Sequence, residues 1–438
     1  MTQNNSIQIR DNNFDGQFIK NETHKNDIEA IANKTLKILV DANPNLLVFP
    51  RVLEQNQDDI EKLSICSFAS NDSLLKTSNF MGFISRNETQ LSITSRFYPN
   101  GNDFFLHYML QKVFKINVLD FEINTSKDNI WDIFLIYLFP TYLKKALNQG
   151  LYKEYQRHQY NNANVKGAIN VARHLRQNMP FMGNVAYDTR EHTYDNRMTQ
   201  LIRHTVEYIK TRQTVQCILN SNHETREAVN QINYATPTYS KAQRQRVITQ
   251  NIKNINHPFF TEYEFLRKIC LQILRKEGLS FGENKKDKVY GLVFDGAWLW
   301  EEYLNTFLSD FVHAENKTGR NAINLFQNDK SYERFPDFYR DNDIVLDAKY
   351  KRMNKPIERN DMHQIITYMH ILKAPKGAFI FPKEDKTINE DLGELKGHGG
   401  NVKLYGVKIP QEECDYQGFM RKMKESESEL TDELRKIT

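Results

Sequence analysis

The stretch RFPDFYRDNDIVLDAKYKRM, residues 334–353, decides how the chain is read. Ile344, Val345, Leu346 and Ala348 form a short apolar run of the kind found inside a sheet. Side chains alternate along a strand, so Asp347 and Lys349 leave from one face. A carboxylate and an ammonium on a buried strand are costly unless they are paired or functional. Asp337 lies upstream, just after Pro336, and a turn between antiparallel strands brings it beside Asp347. Two carboxylates at one point repel unless a cation lies between them. Magnesium fits, being a hard ion held by one or two carboxylates plus substrate phosphate. Lys349 is then placed to orient or deprotonate a water and to stabilise developing negative charge. The expected chemistry is hydrolysis of a phosphodiester. Asp341 and Asp343 read as turn residues, with Asp343 near enough to compete with Asp337 as a ligand.

The flanks add to this strand. In AWLWEEYLNTFLSDF, residues 297–311, Trp300, Leu304, Phe307, Leu308 and Phe311 set the apolar face of a helix expected over about 296–311. Glu301 falls on the shoulder of that face and Glu302 on the far side, so Glu301 is the expected third acidic metal ligand. In DMHQIITYMHIL, residues 361–372, Gln364 and Tyr368 share a helix face, which puts Gln364 within reach of a bound water or the phosphate. Asp361 reads as the N-cap of that helix, and His363 and His370 read as filler. The strand GAFIFP follows.

With 438 residues, the chain is expected to hold two or three domains at about 150 residues each. Apolar residues make up 39% and aromatic residues 12%, enough for real cores. No apolar run reaches the roughly 18–20 residues of a membrane span, and the polar start has no secretory pattern, so the expected compartment is the cytoplasm. Cys66, Cys217, Cys270 and Cys414 show no zinc spacing and are expected to be reduced. Net charge is only +4. The basic residues between Lys144 and Lys253 read as a solvated face, or more sharply as a surface for phosphates or an acidic partner. Residues 1 to about 25 are expected to be loosely attached. A helix is expected over Asn26 to Ala42, and NFMGFISRN and TQLSITSRFYP form a strand pair in a small antiparallel sheet or barrel. Pro99 to Asn102 breaks the chain, Phe104 to Tyr108 reads as core, and Pro140 interrupts or kinks a buried helix over Asn129 to Gln149. Residues 222–256 look like a connecting arm. The expected architecture is a multidomain α+β or α/β chain. It has a β-rich, partner-docking part at 1–125, a helical middle or arm at 126–257, and a C-terminal domain at 258–438 with a central mixed sheet flanked by helices.

The ordered set of Glu301, Pro336-Asp337, Asp347-Ala348-Lys349, Gln364 and Tyr368 resembles the PD-(D/E)XK nuclease superfamily. LWEEYL, PDF, DIVLDAKYK and DMHQIITYM are further similar to the McrC family, nuclease subunits of McrBC modification-dependent restriction systems. KGAINVARHLRQN and YDTREHTYDNRMTQLIRHTVEYI extend the likeness upstream, over roughly residues 80 to 380. The resemblance implies a magnesium-dependent endonuclease acting on double-stranded DNA, and because two strands need two cuts, two nuclease domains are expected to meet on it. It also implies a partner, an McrB-like AAA+ GTPase hexamer that recognises modified cytosine and whose GTP hydrolysis the N-terminal part stimulates. Asn196 and Arg197 fall on the family's Asn-Arg pair, and read either as a cap and ion pair or as a partner contact. The adjacent Glu302 leaves the helical acid open by one position. The chain holds no GxxxxGK[ST], which agrees with a separate motor. The competing reading is a non-catalytic activator and DNA-binding adaptor of the ring, with a vestigial nuclease site.

Overall fold

The computed structural model describes residues 6–51, 59–68, 73–87, 89–98, 103–115, 130–212, 215–255, 257–277, 289–315, 319–327, 329–353, 356–397, 399–412 and 415–436. The expected break at 99–102, the loop at 278–288 and Cys414 lie outside them. The described residues form a mixed α+β, multidomain structure with 12 α-helices and five sheets. They fall into two compact units, residues 1–122 with 284–438, and residues 123–283. No described helix is long and apolar enough to cross a membrane.

In the first unit, the expected pair of strands is present. Phe80–Arg86 and Thr89–Thr94 run antiparallel, with Leu91 and Ile93 buried between the half-exposed Gln90 and Ser92. The N-terminal stretch is not loose. Ser6–Arg10 pairs in parallel with Thr89–Thr94, because Ile9 finds a place in the same core. The helix expected over Asn26 to Ala42 is two, Glu22–Glu29 and Leu36–Ala42, each with its own cap in Asn21 and Thr35. Asn33 between them takes the left-handed conformation, at φ 59°, that ends a helix. Val289–Asp295 lies beyond the expected boundary at 257/258, yet it pairs with Phe80–Arg86 on one side and Leu47–Phe49 on the other. Its near-continuous burial requires both neighbours.

The quoted strand, Ile344–Ala348, stands third in a six-stranded sheet. The order is Val312–His313, Phe338–Arg340, Ile344–Ala348, Lys376–Lys383, Asn401–Lys408, Ile388–Glu394. The first three strands are antiparallel. Ile344–Ala348, Lys376–Lys383 and Asn401–Lys408 are parallel, and Ile388–Glu394 returns antiparallel. Arg359–Leu372 is the crossover helix between the first two parallel strands and packs on both. Gly377 lets it sit close, since a Cβ there would lie 2.6 Å from Met369 Sδ. The helix expected to 311 stops at Asn305. Asp295 caps its start, accepting from the Trp298 N–H at 2.8 Å, and Trp300 donates from Nε1 to Ile380 O. A hairpin, Ile323–Phe326 with Asp329–Arg334, was not foreseen.

The second unit is helical around Ile130–Asn148, Arg197–Thr211 and Thr261–Glu277. Ile130–Asn148 is one helix with Pro140 inside it, so the proline does not divide it. Met198, Leu201, Ile202, Val206 and Ile209 are fully buried, as the periodicity of their helix predicts. The stretch expected as an arm forms helices His223–Ala235 and Arg244–Gln250, with Ile232, Val247 and Ile248 buried. The helical reading of this region missed a sheet in which Val185–Thr193 lies between Glu154–Asn162 and Ala168–Ile169.

Candidate active site

Two local facts bring the carboxylates together. Phe338 is opposite Leu346 in the antiparallel pair, so the residue before Phe338 faces the one after Leu346. The Ala348 N–H then donates to Asp337 Oδ2 at 2.6 Å. Asp347 is only 1% exposed, whereas Asp337 is partly open. Both stand where Ile344–Ala348 ends beside a parallel neighbour, the edge at which mixed and parallel sheets bind ligands.

Lys349 closes the group. Its backbone N–H donates to Ile380 O at 2.8 Å, which keeps the chain extended past the strand end. Its ammonium donates to Gln364 Oε1 at 2.9 Å and stands 2.7 Å from Asp347 Oδ2 and 3.4 Å from Asp361 Oδ1. Gln364 Nε2 donates in turn to Tyr368 OH at 3.0 Å. Burial, followed by the charge of Asp347, pushes Asp337 up to about 7. Burial also raises Asp347, against the pull of Lys349. Burial would lower Lys349, but the charges of Asp347 and Asp337 outweigh it and hold the ammonium above the usual lysine range. Both carboxylates thus hold a proton more readily than a free aspartate, and the ammonium gives its proton up less readily than a free lysine.

The structure brings Asp337, Asp347, Lys349 and Gln364 together, and does not bring Glu301 into the group. Among the described residues no three His, Cys, Asp or Glu side chains are placed to hold a metal. Glu301 and Glu302 flank His313, at 3.7 Å and 4.0 Å from Nε2. His313 Nδ1 donates to the backbone carbonyl of Asp337 at 2.8 Å. The helical acids reach Asp337 through an imidazole that the sequence did not signal. Burial lowers this histidine, but the Glu302 acceptor and the Asp337 carbonyl outweigh it and raise it above its ordinary value.

Asp361 is the second residue missed. Glu358 stands at the N-cap, and Asp361 lies a turn further in, 8% exposed, with Oδ2 2.6 Å from Lys351 Nζ. Its spacing to Gln364 and Tyr368 on one helix face was a usable signal. Asp343 does not compete with Asp337, because it pairs with Arg340 at 3.0 Å and Lys376 at 3.2 Å at the opposite end of the strand. His363 and His370 are exposed.

Two carboxylates fit a hard cation here. Asp347 Oδ2 is buried, with the Lys349 ammonium at 2.7 Å and the second carboxylate, Asp337, beside it. Such an oxygen, next to a second carboxylate, suits magnesium.

Asn196 and Arg197 lie in the other unit. Asn196 is 1% exposed and caps Arg197–Thr211, accepting from Met198 N–H and Thr199 N–H while donating to Tyr152 O. Arg197 pairs with Glu154 at 3.3 Å and donates to Gln250 O at 3.2 Å. This geometry is that of a cap and an ion pair.

The family model described as "McrBC 5-methylcytosine restriction system component" matches residues 75–382. Among solved structures, a chain of the refined half-complex from the tetradecameric assembly of Thermococcus gammatolerans McrB AAA+ hexamers with bound McrC matches at TM-score 0.52 and 15% identity. The match covers 98% of this chain and 99% of that one, and it is a likeness of fold. The cryo-EM structure of the Thermococcus gammatolerans McrBC complex matches at TM-score 0.31 and 16% identity, over 69% and 87% of the two chains. No curated protein matches the chain significantly.

Proposed function

The chain belongs to the McrBC 5-methylcytosine restriction system component family, and from that membership we propose that it is the system's DNA-cutting subunit. The observation that carries this reading is the pairing of Asp337 with Asp347 at a strand end, with Lys349 and Gln364 against them. The parallel strands, crossover helix and antiparallel hairpin around that strand support a PD-(D/E)XK nuclease domain.

Asp337 and Asp347 would hold magnesium, with Glu301 set behind Asp337 through His313. The bound ion would supply charge neutralisation at the scissile phosphate and ease ionisation of the attacking water. Lys349 stays protonated beside two carboxylates, so its part is electrostatic: it orients water and stabilises charge on the phosphate. Gln364 fixes the ammonium in place, and Tyr368 fixes Gln364.

The partner would be an McrB-like AAA+ GTPase hexamer, the ring named with the fold relative. It would supply recognition of modified cytosine and the GTP-driven delivery of double-stranded DNA. Two nuclease domains would then pair to cut both strands.

The experiment is co-expression with an AAA+ GTPase from the same genome. Copurification, GTP hydrolysis faster with this chain than without, and magnesium-dependent DNA cutting are expected. A stable complex that stimulates GTP hydrolysis yet never cuts would favour the second reading, a non-catalytic activator. That reading has one observation on its side: among the described residues no third acid is placed to hold a metal with Asp337 and Asp347.

A further inference from the structure

Within the same unit as Lys349, a polar cavity of about 640 Å³ opens beside Arg352. The turn after Ser6–Arg10 and the chain just past Thr89–Thr94 and Lys349 form its walls. Three of its lining residues are arginines: Arg10, Arg96 and Arg352. Arg10 is exposed and makes no ion pair among the described residues. Arg352 is 53% exposed at its side chain and shares its guanidinium with Glu384. Arg96 is 7% exposed and anchored from several directions, by Asp11 at 3.3 Å, Tyr350 O at 2.7 Å and the Tyr350 ring at 4.7 Å.

Of the buried polar atoms in this wall, Arg96 Nε makes no hydrogen bond, while Asp11 Oδ2 is held by the Arg96 guanidinium at 3.3 Å. Both belong to side chains more than nine-tenths buried. Among the lining residues Phe14 is 68% exposed, a large apolar ring on a polar cavity. Asp15 also lines the cavity.

We propose that this cavity binds one nucleotide unit, its phosphate on Arg10, Arg96 and Arg352 and its base stacked on Phe14. Arginines supply forked donors that match phosphate oxygens, and an exposed aromatic face accepts any base. The phosphate has two sources, a nucleic acid strand or a free nucleotide. Position favours the strand. Arg352 follows Lys349 by three residues, so their Cα atoms are at most about 11 Å apart. A strand held here is therefore steered toward Asp337 and Asp347. The steering rests on the DNA-cutting reading, whereas the binding itself does not.

The test measures binding without cutting. Fluorescently labelled DNA, duplex and single-stranded, is titrated with the full chain in EDTA over a salt series, and GTP binding is measured in parallel. The variants are Arg10→Gln/Arg352→Gln and Phe14→Ala, exposed side chains, each compared with wild type by its melting curve before binding is read. The double variant is expected to lower DNA affinity on the order of 10-fold, and to reduce the slope of log affinity against log salt by roughly 0.9 per arginine. Phe14→Ala is expected to weaken single-stranded DNA by roughly 5-fold or more. Loss of GTP binding with DNA affinity intact would identify a free nucleotide as the occupant. Affinities for both ligands unchanged in both variants would overturn the proposal. Because no cleavage is read, the binding result stands by itself, and failure of the separate cleavage assay would refute the nuclease reading alone.

Discussion

At the scale of residues, the site is a balance of charge around Lys349. Asp347, Asp361 and Gln364 all reach its ammonium, so its position is set by three contacts from two elements. Asp361→Asn removes the more distant carboxylate and leaves Lys351 paired with Glu358 alone. The loss expected for a residue that positions a catalytic group is roughly 10- to 100-fold in cleavage rate, with DNA binding unchanged. A rate equal to wild type in single-turnover cleavage would remove Asp361 from the machinery. Asp337, Asp347 and Lys349 were legible in the sequence because a strand's alternation fixes which residues share a face. Asp361 was hidden by the habit of reading an acid near a helix start as a cap. His313 was hidden because nothing in its neighbourhood gives it a periodicity, and only folding sets it between Glu301, Glu302 and the Asp337 carbonyl.

At the scale of elements, the same sheet depends on helices seated by small local devices. Phe104–Phe114 starts at Asp103, which has φ 40° and accepts from Leu106 N–H at 3.3 Å and Ser95 N–H at 2.7 Å. Asp103→Ala loses the cap and is expected to cost about 1–2 kcal/mol, read by chemical denaturation. Burial raises Asp103 from 3.8 to about 8. The folded chain therefore keeps a proton that the unfolded chain releases. This contribution is fully present below pH 3.8 and is lost as pH rises through about 8. Asp103→Asn tolerates the left-handed backbone, keeps an oxygen acceptor and removes the titration. Its stability is expected to fall less between pH 4 and pH 8 than that of wild type, leaving the decline due to Asp11, raised by burial to about 7. Parallel curves for the two proteins would contradict this. Strands with clean alternation, such as Thr89–Thr94, were legible. Ser6–Arg10 was not, because two isoleucines among polar residues make a strand only when a neighbour supplies the ladder.

At the scale of the whole molecule, the strand Val289–Asp295 joins what the sequence suggested were separate ends. Sequence order hides this, since pattern shows that a strand is buried but not which strands flank it. A fragment of residues 284–438 alone leaves that strand without both partners, and is expected to be insoluble. Co-expression with residues 1–122 is expected to restore a soluble complex, seen by gel filtration. A fragment that folds alone would show that the pairing is dispensable. The central claim, that the strand end holding Asp337 and Asp347 cuts DNA, is tested most directly by one assay. The purified chain, with its AAA+ partner, GTP and magnesium, is given modified DNA alongside the Asp347→Ala variant. The account predicts that the variant still binds the partner and stimulates GTP hydrolysis while cleavage falls by about 1,000-fold or more. Cleavage by Asp347→Ala at the wild-type rate would contradict it.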